Sequence, residues 1–286
     1  EKLIFGFHLT KHSKMAEKIF HIENVTLQYS TGNPVLEIDR LEIDTGLIYF
    51  IIGPSGAGKS TLIESLGLMT NTIDSNNSKE FSYYQDENDK IDFKNIWSKN
   101  DATLSELRKS NFSFLFQNNF LMANFSTYEN MIFTMDHQIN SANVHRESEL
   151  HILMESLGLD LSLKNRNISK LSGGQKQRVA FVRSLLAPFK ILFADEPTGN
   201  LDSVSSKKLF NVLKNEIKKS NRTVVAVSHD LSLAQEFGDI IVPILMRKCS
   251  NGFCGYIHSN NNLIKMNDSW FNSTGQKIQN IKLMGT

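Results

Sequence analysis

Gly53-Pro54-Ser55-Gly56-Ala57-Gly58-Lys59-Ser60 decides the fold of this chain. The octapeptide fits G-x-x-x-x-G-K-[ST] and stands in the context that pattern requires. Before it, Tyr49–Ile52 reads as a short buried strand; after it, Ser60–Leu68 reads as a helix. Glycines let successive backbone N–H groups turn inward around phosphate oxygens. The helix start adds the positive end of its dipole. Lys59 is expected to reach the β- and γ-phosphates of a nucleotide, and the Ser60 hydroxyl to bind Mg²⁺. Thr61, next in the helix, is counted with the nucleotide contacts.

A phosphate loop needs a carboxylate partner, and Ile191-Leu192-Phe193-Ala194-Asp195-Glu196 supplies one at the end of an apolar strand. Ligands of open α/β sheets sit at that end. Asp195 is placed on Mg²⁺. Glu196 is placed as the group that takes a proton from, or orients, an attacking water. Further out, Ile19–Gln28, Val35–Ile43, Phe112–Phe116 and Thr223–Ser228 read as strands. Ser203–Lys219 reads as an amphipathic helix with Leu209, Val212, Leu213 and Ile217 inward, and Ser172 precedes another with Val179, Val182 and Leu186 on one face. Gly158 is a candidate C-cap for the helical stretch 126–163. Strands apolar on both faces, alternating with helices, imply a parallel sheet covered on both sides. Residues 71–100 are polar and read as loop with one or two edge strands.

The 286 residues are 40% apolar and 21% charged, which excludes a chain disordered throughout. Lys+Arg at 31 against Asp+Glu at 30 lacks the basic excess of a dedicated nucleic-acid binder. No apolar run is long enough to span a bilayer. Two cysteines, Cys249 and Cys254, exclude a disulfide framework. Their x₄ spacing lacks the second ligand pair of a zinc site, so they are expected as two thiols. Met15 stands just before the first strand, leaving residues 1–14 as an arm or tag remnant.

Leu171-Ser172-Gly173-Gly174-Gln175 matches the signature pentapeptide of the ATP-binding-cassette (ABC) ATPases. The resemblance runs over about residues 19–245. By it, Gln117 resembles the Q-loop glutamine, Gly199-Asn200-Leu201-Asp202 the D-loop, His229 the switch histidine and Tyr29 the aromatic that stacks on adenine. Taken alone, Ser172-Gly173-Gly174 is a helix-capping turn, His229 a strand-end histidine, Tyr29 a core aromatic and Asp202 a helix cap. The family implies a fold: an α/β P-loop NTPase (RecA-like) core with a mainly parallel sheet, an antiparallel β subdomain and an inserted helical subdomain near 118–168. It also implies ATP and Mg²⁺ as ligands, with Gln117 joining Ser60 and Asp195 at the metal. Glu196, His229, Gln117 and Lys59 are the implied catalytic set. Two copies would pair head-to-tail, each ATP lying between the P-loop of one and the signature of the other. Closure would drive a separate integral membrane permease, placing the chain at the cytoplasmic face of the cell membrane. No nucleic-acid partner is implied.

Glu196-Pro197-Thr198-Gly199-Asn200-Leu201-Asp202-Ser203, with Leu104-Ser105-Glu106-Leu107-Arg108, resembles the lipoprotein-release, macrolide-export and cell-division branch. The segment between Leu68 and Phe112 departs from it, being Asn-rich and without the usual glycine turn near Asp92–Asn95. The cassette is bounded at 15–245, with 246–286 as a C-terminal extension carrying five Lys/Arg and one Asp. Two alternatives stand beside transport: a cassette that regulates a permease-like partner in cell division, and a non-transport ABC ATPase. Chromosome-type members of the latter carry a coiled-coil insertion of hundreds of residues, for which Lys59 and Asp195 stand too close; translation-type members carry two cassettes.

Overall fold

Two sheets divide the chain, and the computed structural model describes residues 17–29, 32–86, 88–134, 143–249, 252–278 and 281 of it. The expected N-terminal arm, residues 1–14, lies outside them. In chain order come β1 (Lys18–Gln28), β2 (Pro34–Asp44), β3 (Ile48–Ile52), α1 (Lys59–Leu66), β4 (Glu80–Tyr84), β5 (Lys90–Asp92), α2 (Asp101–Asn111) and β6 (Phe112–Leu115). The helices α3 (Thr127–Ile132), α4 (Asn143–Ser156) and α5 (Gly173–Leu186) follow, then β7 (Ile191–Asp195), α6 (Ser203–Ser220), β8 (Thr223–Ser228) and α7 (Leu231–Phe237). The last strands are β9 (Ile240–Pro243), β10 (Leu245–Cys249), β11 (Gly252–Ile257), β12 (Leu263–Met266), β13 (Ser269–Asn272) and β14 (Lys277–Ile278).

The larger sheet has the order β14-β13-β12-β9-β3-β8-β7-β6 among the described residues. Its members β9, β3, β8, β7 and β6 are parallel, and β12, β13 and β14 extend it antiparallel. β3 and β8 are buried at every position, as their unbroken apolar runs require. Strand alternation deals the β3 side chains to two cores. Ile48, Phe50 and Ile52 pack with α5, α6 and α7, whereas Tyr49 and Ile51 pack with α1 and the smaller sheet. That smaller sheet, β10-β11-β2-β1-β4-β5, is antiparallel except where β11 meets β2. Each fully buried Phe or Ile of these cores contributes about 1.5–3 kcal/mol.

Helix ends follow local chemistry. Ser126 and Glu129 form a capping box at α3, and Ser172 and Gln175 form one at α5. Gly158, after α4, holds φ +67, as its reading as a C-cap requires. In α6 the buried residues are Ser206, Leu209, Phe210, Leu213 and Ile217, so Phe210 joins the expected stripe while Val212 is half-buried. α2 has no counterpart among the sequence-based elements. Only Leu104, Leu107 and Asn111 of it are buried, too few for a clear period, and the helix is held by its Asn100 cap and by Arg108 and Lys109 in its last turn.

Two findings concern the C-terminal segment. First, it is structured: β12 pairs with β9, and β11 pairs with β2. Second, the expectation of two thiols is corrected, because Cys249 and Cys254 are joined as a disulfide. The β10–β11 hairpin register sets Cys249 opposite Gly252 and Arg247 opposite Cys254, and the two Cα atoms stand 6.0 Å apart, within reach of one bond. On the outer face of the same sheet, His21 lies among Glu23, Glu42 and Glu80, and those carboxylates already pair with Lys79, Lys18 and Lys90.

Candidate active site

The loop 53–58 leaves β3 and enters α1 through Gly58, whose φ of +85 and a Cβ position 3.0 Å from Leu36 Cβ admit only glycine comfortably. Gly56 also holds a positive φ and has nothing within 4 Å above it. Ser55, Gly56 and Ser60 are exposed at the mouth, while Ala57, Gly58 and Lys59 are buried. No side chain caps the start of α1 and no acidic residue stands in its first turn. Its first N–H groups and the positive end of its dipole are therefore available to an anion. From below, the loop rests on β11: a Cβ on Gly255 would lie 2.0 Å from the Ala57 carbonyl oxygen.

Lys59 Nζ donates to the carbonyls of Gly53 and Pro54, both at 2.8 Å, so its ammonium is parked inside the loop it serves. Burial pushes its pKa down, against the pull of Glu196 and Asp195. Ser60 Oγ donates to Asp195 Oδ2 at 2.8 Å, joining the octapeptide to the end of β7. Burial pushes the Asp195 carboxyl up, the Ser60 hydrogen bond opposes that, and the neighbouring Glu196 charge pushes it further. A hydroxyl and a carboxylate at the rim form an all-oxygen pair that suits a hard divalent cation.

Glu196 stands in the left-handed region at φ +46, just past the end of β7. Gln117 Nε2 donates to Oε2 at 3.2 Å, and His229 Nε2 contacts Oε1 at 2.7 Å. Gln117 after β6 and His229 after β8 thus converge on the carboxylate that follows β7. Gln117 engages Glu196 rather than the Ser60–Asp195 pair. Tyr29 is 41% exposed and its hydroxyl shares a 3.1 Å hydrogen bond with Thr61 Oγ1, which holds the ring beside the loop.

The signature residues lie elsewhere. Ser172 Oγ accepts from the Gln175 N–H at 3.2 Å, and Gln175 Oε1 accepts from the Ser172 N–H at 2.9 Å. Among the described residues no hydrogen bond joins Ser172, Gly173, Gly174 or Gln175 to the 53–60 loop. A Cβ placed on Gly173 would meet nothing within 4 Å, and one on Gly174 would lie 3.6 Å from Leu201 Cδ2. Asp202 caps α6, accepting from the Ser205 N–H at 2.9 Å. One polar residue escaped the sequence reading: Gln177 of α5 is 1% exposed and hydrogen-bonds the backbone of Pro197 and Asn200. The signal was there, since Gln177, Phe181 and Ser184 recur at helical spacing on the buried side of α5.

Comparison with known proteins bears on the same region. Residues 36–199 match the ABC transporter family. The lipoprotein-releasing system ATP-binding protein LolD of Bdellovibrio bacteriovorus is 40% identical over 215 residues, spanning 73% of this chain and 90% of that one. The macrolide export ATP-binding/permease protein MacB of Haemophilus ducreyi is 32% identical over 79% of this chain, which spans 31% of that protein. A dimeric ABC transporter cassette, MJ0796, superposes with a TM-score of 0.64 at 30% identity, covering 79% of this chain and 94% of the cassette. The same cassette is also known in a post-hydrolysis dimer with ADP and Pi, at a TM-score of 0.63 and 28% identity.

Proposed function

The chain belongs to the ABC transporter ATPase family, and from that premise we propose that two copies sandwich two ATP molecules head-to-tail and pass their closure to a membrane permease. The observation that carries this reading is the separation of the two glycine-rich helix starts. The 53–60 loop gathers Lys59, Ser60, Asp195, Glu196, Gln117 and His229, whereas Ser172–Gln175 stands apart with an unobstructed glycine. A second phosphate-type site, sharing no hydrogen bond with the first among the described residues, serves a nucleotide held by another copy.

Within one composite site the residues divide the work. The N–H groups of 53–60 and the start of α1 cradle phosphate oxygens, and Lys59 exchanges its two loop carbonyls for the β- and γ-phosphates. Ser60 and Asp195 would hold Mg²⁺, which supplies charge neutralisation on the phosphates when bound. Glu196 orients the attacking water and takes its proton; Gln117 and His229 fix the carboxylate from either side. His229 then meets the γ-phosphate, and Tyr29 offers its ring to adenine. Loss of the γ-phosphate removes the bridge between copies and reopens them. In this reading the permease docks on the segment near 118–168, and the chain lies at the cytoplasmic face of the membrane. Relatives named for lipoprotein release and macrolide export support it. No helix among the described residues is long and apolar enough to cross a membrane, and attachment through the permease is compatible with that.

A mixed dimer tests the shared site. Two tagged copies both carry Glu196→Gln; one adds Lys59→Ala, the other Ser172→Arg. Shared sites put both lesions in one site and leave the other intact, so the mixed dimer retains about one nucleotide. Either pure dimer retains none. No retention by a demonstrably formed mixed dimer overturns the arrangement. Co-purification in detergent with a permease tests the coupling.

A further inference from the structure

α5 begins at the signature, and along its length it grips the two loops that deliver groups to Glu196. Near its start, the buried Gln177 has both ends of its amide in use. Nε2 donates to the Pro197 carbonyl, and Oε1 accepts from the Asn200 N–H at 3.2 Å. Those two backbone groups bracket the turn between Glu196 and Asp202. The same turn runs beside the helix start, where a Cβ placed on Gly174 would lie 3.6 Å from Leu201 Cδ2 and 3.8 Å from the Asn200 carbonyl oxygen. Further along α5, the Arg183 guanidinium donates to the carbonyls of Asn119 at 2.7 Å and Phe120 at 2.9 Å. The Arg183 carbonyl accepts from Thr134 Oγ1 at 3.1 Å. Asn119 and Phe120 are consecutive non-glycine residues at φ +56 and +41. Such backbone persists only where its surroundings hold it. Gln117, two residues earlier, is the residue that donates to Glu196.

Among the described residues no carboxylate pairs with Arg183, so its half-buried charge is committed to these two carbonyls. An amide and a guanidinium are also the side chains whose rigid, planar forks hold two backbone groups at once. We propose that Gln177 and Arg183 are positioning residues that make α5 a lever. Movement of its signature end shifts the Glu196 turn and the Gln117 loop together. Engagement of Ser172–Gln175 with the nucleotide on the second copy thereby sets the Glu196 carboxylate that serves the nucleotide on the first. This rests on the shared-site reading above. Neither residue touches the nucleotide, and the two sites become coupled through one helix.

The experiment uses the full chain and the variants Gln177→Met, Arg183→Met and Arg183→Lys, with phosphate release measured across ATP concentration. Gln177→Met and Arg183→Met lower kcat at least ten-fold, leave KM for ATP within two-fold, and bring the Hill coefficient from near two to near one. Arg183→Lys keeps the charge without the fork and falls between wild type and Arg183→Met. In a Glu196→Gln background, both Met variants still form the ATP-bound dimer on gel filtration. Wild-type kcat and Hill coefficient in Gln177→Met overturn the proposal. So does a kcat loss matched by an equal rise in KM with loss of that dimer, because that pattern is collapse of the signature. If Gln177→Met does not fold, Gln177→Glu decides: it keeps the acceptor for Asn200 but loses the donor to Pro197, and wild-type turnover in it overturns the proposal equally. Failure of the shared-site reading shows separately, as a Glu196→Gln chain that forms no ATP-bound dimer.

Discussion

Glu196 carries backbone strain at the position where the proposed chemistry needs a carboxylate, and two substitutions separate these effects. Its φ of +46 is left-handed, which costs a side chain with a Cβ about 1–2 kcal/mol. Glutamine at 196 keeps that strain and the shape. Its amide oxygen still accepts from Gln117, and its NH₂ stands where it can donate to a ring nitrogen of His229. The charge is what it lacks. Loss of a general base costs about 10²–10⁴-fold in kcat, or about 3–5 kcal/mol at the transition state. Glycine at 196 loses the carboxylate too but accepts the conformation freely. Its larger unfolded-state entropy takes back about 0.5–1 kcal/mol. Glycine also forgoes the interactions with Gln117 and His229. The His229 and Glu196 side chains are 48% and 26% exposed, and pairs so open to water are worth about 0–1 kcal/mol. Strain relief of about 1–2 kcal/mol, less about 0.5–1 kcal/mol of entropy and about 0–1 kcal/mol of lost contacts, leaves Glu196→Gly within about 1 kcal/mol of Glu196→Gln in stability, or about 3 °C in Tm. Both are inactive. Denaturant melts without nucleotide give the first comparison, and phosphate release the second. A Glu196→Gly chain less stable than Glu196→Gln by more than about 1 kcal/mol refutes the strain argument; turnover of Glu196→Gln within ten-fold of wild type refutes the base.

Three further outcomes are expected. Burial, aided by the Glu42 charge, pushes the Asp44 carboxyl up to about 6. The folded state thus binds this proton more tightly than the unfolded state, so stability falls as pH rises between about 4 and about 6, by up to about 3 kcal/mol. Asp44→Asn removes that slope. Denaturation midpoints of both chains from pH 4 to 8 check it, and a difference that does not change with pH contradicts the assignment. Lys59→Ala loses the phosphate partner, and charged hydrogen bonds of about 1.5–3 kcal/mol translate to about 10–100-fold weaker nucleotide binding; an unchanged Kd by calorimetry rules this out. Gly255→Ala drives a methyl group toward the Ala57 carbonyl, 2.0 Å from its Cβ position. Overpacking of this kind costs about 1–3 kcal/mol, with weaker nucleotide retention, and a variant matching wild type in both refutes the clamp beneath the loop.

Features that arise within a few residues are legible in the chain without its fold. The glycines and Lys59 of the phosphate loop, the apolar runs of β3, β7 and β8, and the Ser172 cap at α5 all act within a few residues, and their patterns name the element they build. α2 stayed hidden because its buried face holds too few apolar residues to show a period. β12–β14 stayed hidden because short edge strands draw their stability from the β9 edge they meet, and no window of sequence contains that edge. The Cys249–Cys254 bond likewise depends on a hairpin register, which spacing alone does not express. At the site, residue types were legible and their grouping was not. Only tertiary structure brings Gln117 and His229 onto the Glu196 carboxylate while leaving Ser172–Gln175 apart from it. Strand order makes that decision: the ends of β6, β7 and β8 converge because parallel pairing aligns them, however far apart they lie along the chain.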